Sequence, residues 1–181
     1  MTKSILRKYA KLIVQMGVNI KKGQGAVILA DTAQFEIALM VAEEAYRAGA
    51  KWVDIRWTNQ DLDKMRYKKE SVKVLSATQE WEKARMQYEL DELPVRIWID
   101  SDDPDGLKGV NVEKMQKANL ARMKVRKPYR DAMENKYQWT IVAVPSAKWA
   151  KKVFPDLAES EAMDKLWEAI FQAVRITGDG R

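Results

Sequence analysis

The alternation of short, unbroken apolar runs with amphipathic helices limits what this chain can fold into more than any other feature. Ala26-Val27-Ile28-Leu29-Ala30 is an apolar run of the kind a strand buried on both faces requires. After it, Ile37, Met40, Val41, Ala45 and Ala48 recur at helical spacing and stop at Gly49, and Trp52-Val53-Asp54-Ile55-Arg56-Trp57 resumes an extended pattern. Strand, helix and strand with short connections form a parallel βαβ unit, whose crossover is right-handed. Further along, Pro94 introduces Val95-Arg96-Ile97-Trp98-Ile99, and Trp139-Thr-Ile-Val-Ala-Val144 is ended by Pro145. The expected fold is therefore a layered α/β domain with a largely parallel sheet of at least four strands flanked by helices.

Helical expectations fill the remainder. Ser4 is placed to cap a first helix with Ile5, Leu6, Tyr9, Leu12, Ile13 and Met16 on one face and Gly17 at its end. Two helices are expected over about residues 59–73 and 78–90, the second with Trp81, Ala84 and Tyr88 on one side. Asn111 should cap a long helix that Pro128 kinks or divides, because proline lacks the donor and clashes with the preceding turn. A short helix near residues 148–153 precedes a longer one with Met163, Leu166, Trp167, Ile170, Phe171 and Val174 aligned. The length suits one domain over residues 1–176 with a single core. Only Thr177-Gly-Asp-Gly-Arg181 has the composition of a boundary.

Composition narrows the chemistry. The chain has neither His nor Cys, which removes the commonest general base, the commonest zinc ligands and the thiolate nucleophile together. Lack of disulfides and of any apolar run of about 20 residues points to a reducing, cytoplasmic setting and no membrane. The formal net charge of +6 raises the question of nucleic acid. The densest basic run is Lys114, Lys117, Arg122, Lys124, Arg126, Lys127 and Arg130. At about 100° per residue it scatters around a helix instead of forming a stripe, so a solvated surface is favoured over a nucleic-acid face.

Four groups invite a functional reading. Asp100, Asp102, Asp103 and Asp105 follow a strand, where parallel sheets bind ligands. In an EF-hand register set by Gly106, however, Val112 falls where a bidentate Glu is needed, so a turn is favoured. Gly23 and Gly25 precede their strand, whereas a dinucleotide fingerprint follows one. Asp54 and Arg56 share a strand face and are expected to be structural or solvent-facing. The seven tryptophans are assigned mostly to core packing, some remaining available to a partner. No residue is nominated as catalytic, cofactor-binding or metal-binding.

Specific resemblance begins at Glu43-Glu-Ala-Tyr-Arg-Ala-Gly-Ala-Lys-Trp-Val53. It continues at Val144-Pro-Ser-Ala-Lys-Trp-Ala-Lys-Lys-Val-Phe-Pro-Asp156 and Lys165-Leu-Trp-Glu-Ala-Ile-Phe-Gln-Ala-Val-Arg175. With the opening Leu6 to Ile20 and Lys22-Gly23-Gln24, these blocks resemble the amino-terminal domain of the metallo-aminopeptidases of the aminopeptidase S and aminopeptidase T type, which are thermophilic-metalloprotease-like. The resemblance implies a parent enzyme that removes amino-terminal residues from peptides with two divalent metal ions, zinc, cobalt or similar. Such ions activate a water, polarise the scissile carbonyl and anchor the free amine. It also implies that the Glu, His, Tyr and Asp ligands lie in a catalytic carboxy-terminal domain of the same polypeptide, to which residues 177–181 begin a linker. A homodimer enclosing its active sites is implied too. On that reading this chain alone is inactive and serves as wall, lid or docking surface. The alternative is a free-standing α/β interaction module, with nucleic acid as one partner class.

Overall fold

The computed structural model describes residues 2–176. By contacts the chain divides into two compact units: Met1–Thr58 with Val95–Pro104 and Gln138–Arg181, and Asn59–Pro94 with Asp105–Tyr137. The boundary-like stretch of residues 177–181 lies outside the described residues.

The first unit carries the sheet. Helix α1 (Lys3–Leu12) leads through a π-helical turn (Ile13–Gly17) to β1 (Gly25–Asp31), and a 3-10 turn (Thr32–Gln34) opens α2 (Phe35–Arg47), which returns to β2 (Trp52–Thr58). Strands β3 (Val95–Asp100) and β4 (Trp139–Ala143) and helices α7 (Ala147–Val153) and α8 (Glu159–Ala173) complete it. The strands stand in the order β2-β1-β3-β4, and every pairing is parallel, as the strand–helix–strand pattern requires. The register pairs Gly25 with Trp52, Ile28 with Ile55 and Ile97, and Ile99 with Val142.

Side chains alternate across each strand, and Ala26, Ile28, Ala30, Val95, Ile97 and Ile99 share one buried face. They join one core with Tyr9, Ile13 and Val14, with Ile37 and Val41 of α2, and with Leu166, Trp167, Ile170 and Phe171 of α8. Each fully buried Ile or Val there contributes roughly 1.5–3 kcal/mol. Trp167 stacks on Phe171 at 5.0 Å, and Tyr9 meets both rings edge-on. The Tyr9 hydroxyl donates to the Ala143 carbonyl at 3.0 Å, tying the first helix to the last strand. Burial of that hydroxyl pushes its pKa up to about 12, although the bond to Ala143 acts in the opposite direction.

Two expectations for α1 fail. Thr2, not Ser4, occupies its N-cap, and Met16 is 75% exposed instead of lying on the core face. The π-helical turn explains the second difference: the Val18 amide bonds back to the Ile13 carbonyl, one residue further than in an α-helix, which rotates Met16 off the buried stripe. Gly49, the expected stop of α2, sits at φ +100°, a left-handed conformation that glycine adopts freely.

The second unit is helical: α3 (Gln60–Lys69), α4 (Val72–Ser76), α5 (Glu80–Glu92) and α6 (Val112–Met133). The single helix expected over 59–73 is two, because Glu70 is extended and Ser71 starts a new helix by accepting the Val74 amide. Asn111 caps α6 as expected, accepting from the Lys114 amide at 2.9 Å, but α6 runs unbroken through Pro128. The aligned face of α5 is reversed from the usual sense. Trp81 is 62% and Tyr88 50% exposed, whereas Glu82 and Glu89 are buried. Glu82 is held by its own environment: it accepts from the Gln79 amide at 2.9 Å and from Arg122 at 2.5 Å, and Arg122 also donates to the Ala77 carbonyl. Among the described residues, no helix is long and apolar enough to cross a membrane.

Candidate functional site

In an open parallel sheet, ligands bind beyond the carboxyl ends of the strands where neighbouring connections diverge. Here that switch point lies between β1 and β3, since β1 leads outward to β2 on one side and β3 to β4 on the other. The polar groups gathered at the strand ends are Asp31, Gln34, Ser101, Asp102, Asp103, Ser146 and Lys148.

Their hydrogen bonds hold the strand ends in place. Asp31 accepts from the Ala33 amide at 2.8 Å and shapes the turn into α2. Buried Gln34 donates to the Pro145 carbonyl at 3.2 Å, joining the end of β1 to the end of β4. The Val144 amide donates to the Asp100 carbonyl at 2.8 Å, and Ser146 caps α7 through the Trp149 amide. Lys148 lies 3.7 Å from Asp103, a partly exposed pair worth at most about 1 kcal/mol. Lys151 donates to the Pro155 and Leu157 carbonyls at 2.7 and 2.6 Å, so Ser146 and the nearby lysines brace a turn and do not form a nucleophile–base pair.

The aspartates singled out by sequence do not assemble. Asp100 ends β3 and Asp103 faces Lys148, while Asp105 belongs to the second unit. Among the described residues, no three His, Cys, Asp or Glu side chains come together to hold a metal ion. No reaction step is assigned to these residues. Gly23 lies in a turn at φ +85°, its amide bonded to the Gly49 carbonyl at 2.8 Å. Arg56 and Asp54 pair with each other at 2.9 Å. Of the tryptophans, only Trp167 is buried; Trp57, Trp81 and Trp139 are exposed, so core packing explains fewer of them than expected. Gln34 and Ser101 were missed by sequence reasoning, because their placement depends on the strand order, which periodicity does not encode.

The blocks that carry the resemblance are structural in the same sense. Within the first block, Glu44 is buried and ion-paired with Arg47, and Gly49 makes the left-handed turn into β2. The second forms the crest from β4 into α7, and the third supplies the stacked face of α8.

An all-parallel α/β domain whose polar crest serves the scaffold is the class that fold and site define. Comparison with known proteins names its relatives. The sequence model of the thermophilic metalloprotease (M29) family matches residues 2–180, and the chain belongs to that family. Aminopeptidase PepS of Streptococcus thermophilus is 34% identical over 176 residues, covering 96% of this chain and 43% of that protein. Aminopeptidase T of Thermus thermophilus is 34% identical over 171 residues, covering 94% of this chain and 42% of that protein. The solved structure of wild-type AmpT from Thermus thermophilus matches with a TM-score of 0.81 at 32% identity, over 94% of this chain and 43% of that one. The chain thus spans less than half the length of these relatives.

Proposed function

We propose that this chain is the non-catalytic amino-terminal domain of a metal-dependent aminopeptidase that removes amino-terminal residues from peptides. The observation that carries the reading is a family match across the chain in a sequence with no His or Cys and, among the described residues, no acidic cluster able to hold a metal. Two divalent ions, zinc, cobalt or similar, are held by a further domain of the same polypeptide, to which residues 177–181 lead. This domain shapes access to that site or its assembly into a homodimer in the cytoplasm.

The interaction-module alternative gains little from the structure. The basic residues of α6 are largely matched with acids: Lys117 with Glu113, Arg122 and Arg126 with Glu82, and Lys127 and Arg130 with Asp131. These five bases share three carboxylates, so the helix keeps a positive balance, and what favours the aminopeptidase reading over this one is the family match along the chain.

The test is peptidase activity and bound metal, measured on this chain and on the product extended through its downstream coding sequence. Activity and stoichiometric metal are expected only in the longer protein. Metal-dependent activity of the 181-residue chain would overturn the reading.

A further inference from the structure

The two free edges of the sheet are treated differently. On β2, Asp54 and Arg56 put an ion pair on the edge strand, and the exposed Trp57 ring is stacked on Phe35 at 5.6 Å. Charges of this kind keep a sheet edge from pairing with other chains. At the opposite edge, β4 reads Trp139-Thr-Ile-Val-Ala143, with no charge and no proline, and among the described residues no strand pairs with its outer side.

The exposed face of β4 is also apolar. Trp139 is 58% and Ile141 60% exposed, and as alternate residues they point to the same side. Trp98 meets the Trp139 ring edge-on at 6.3 Å, which restrains it before any partner arrives. An apolar edge strand without charges invites aggregation unless something covers it.

We propose that β4, through Trp139 and Ile141, is the surface on which the rest of the polypeptide docks. This rests on the preceding reading that a further domain exists. Relatives of which this chain covers 42–43% have more than half their length in need of a seat. Interfaces between domains of one chain bury about 600–1,500 Å², and an exposed tryptophan with an isoleucine two residues on suits the centre of such a patch. The docking segment presents an apolar surface to Trp139 and Ile141.

Hydrogen exchange on this chain and on the longer product tests the proposal. The amides of residues 139–143 should exchange about tenfold or more slowly in the longer protein. Trp139→Lys with Ile141→Lys should remove that added protection while leaving the melting temperature of the 181-residue chain nearly unchanged. Unchanged exchange at β4 in the longer protein overturns the proposal. So does a melting loss equal in both lengths, which would make the residues part of the fold. Protection that appears in the short chain and rises with its concentration would instead give the edge to a second copy. A longer protein that protects β4 yet cleaves no peptide would refute the aminopeptidase reading and leave the docking surface standing. An active protein with an unprotected β4 would refute the docking alone.

Discussion

Gly25 begins β1 directly opposite Trp52 of β2, and the indole ring lies where a side chain at 25 would go. An added Cβ would stand 2.7 Å from the ring carbon Cη2 and closer still to Cζ2 and Cε2. Gly25 is not among the glycines with positive φ, so the cost of Gly25→Ala is steric and not conformational. Overpacking of this kind costs about 1–3 kcal/mol. Restricting the unfolded chain gives back about 0.4–1 kcal/mol. The net loss is roughly 0–2.6 kcal/mol, or a melting temperature lower by roughly 2–4 °C per kcal/mol at this chain length. Urea denaturation of Gly25→Ala, Trp52→Leu and the double variant isolates the cause. With the ring removed, Gly25→Ala should become neutral or slightly stabilising. A stabilising Gly25→Ala in the wild-type background, or a penalty that persists beside Trp52→Leu, would refute the steric argument.

Other outcomes follow from the polar and helical details. Tyr9→Phe should cost about 1 kcal/mol, because the Ala143 carbonyl loses its donor. Since the folded Tyr9 pKa, about 12, is raised above 10.0, its contribution is complete below pH 10.0 and is lost as pH rises through the folded value; Tyr9→Phe should flatten that alkaline loss in thermal melts. Arg122→Ala should destabilise the chain by about 3 kcal/mol in denaturant titrations, because it leaves the buried Glu82 carboxylate without its main partner. Burial pushes the Glu82 pKa up, but the Gln79 amide, Arg122 and Arg126 together hold it below 4.5. Its stabilisation is therefore present above pH 4.5 and lost as pH falls through the lower folded pKa, and Arg122→Ala should weaken that acid dependence. Pro128→Ala, at an exposed position inside α6, restores a helix donor and should raise stability by up to about 3 kcal/mol, read from the melting temperature.

The strands were legible because β1 is an uninterrupted apolar run and the others are short β-branched and aromatic stretches set between turn signals, and all four became strands within a residue or two. Strand order was not, since it depends on which edges meet and leaves no periodic mark. The face of α5 shows a second limit. Helical spacing shows that Trp81, Ala84 and Tyr88 align, but which side is buried was decided by Glu82 finding Arg122 in a distant helix. Met16 shows a third, because a single wide turn shifts the phase of every residue after it. At the crest, only residues 104–109 of the expected acidic turn form one, since Asp100 closes β3, while Gln34 stayed hidden because its partner, the Pro145 carbonyl, lies 111 residues away.

The bond from Tyr9 to Ala143 spans 134 residues. A ribosome delivers the chain from its amino end, so the first helix is made long before the strand that satisfies its hydroxyl exists. Until β4 is laid down, Tyr9 has no carbonyl to meet and the sheet stops at β3. Completion of the sheet-bearing unit therefore waits for its last strand and the α8 face that follows, and a nascent chain interrupted before residue 139 should remain open to proteases however well its first βαβ unit has formed.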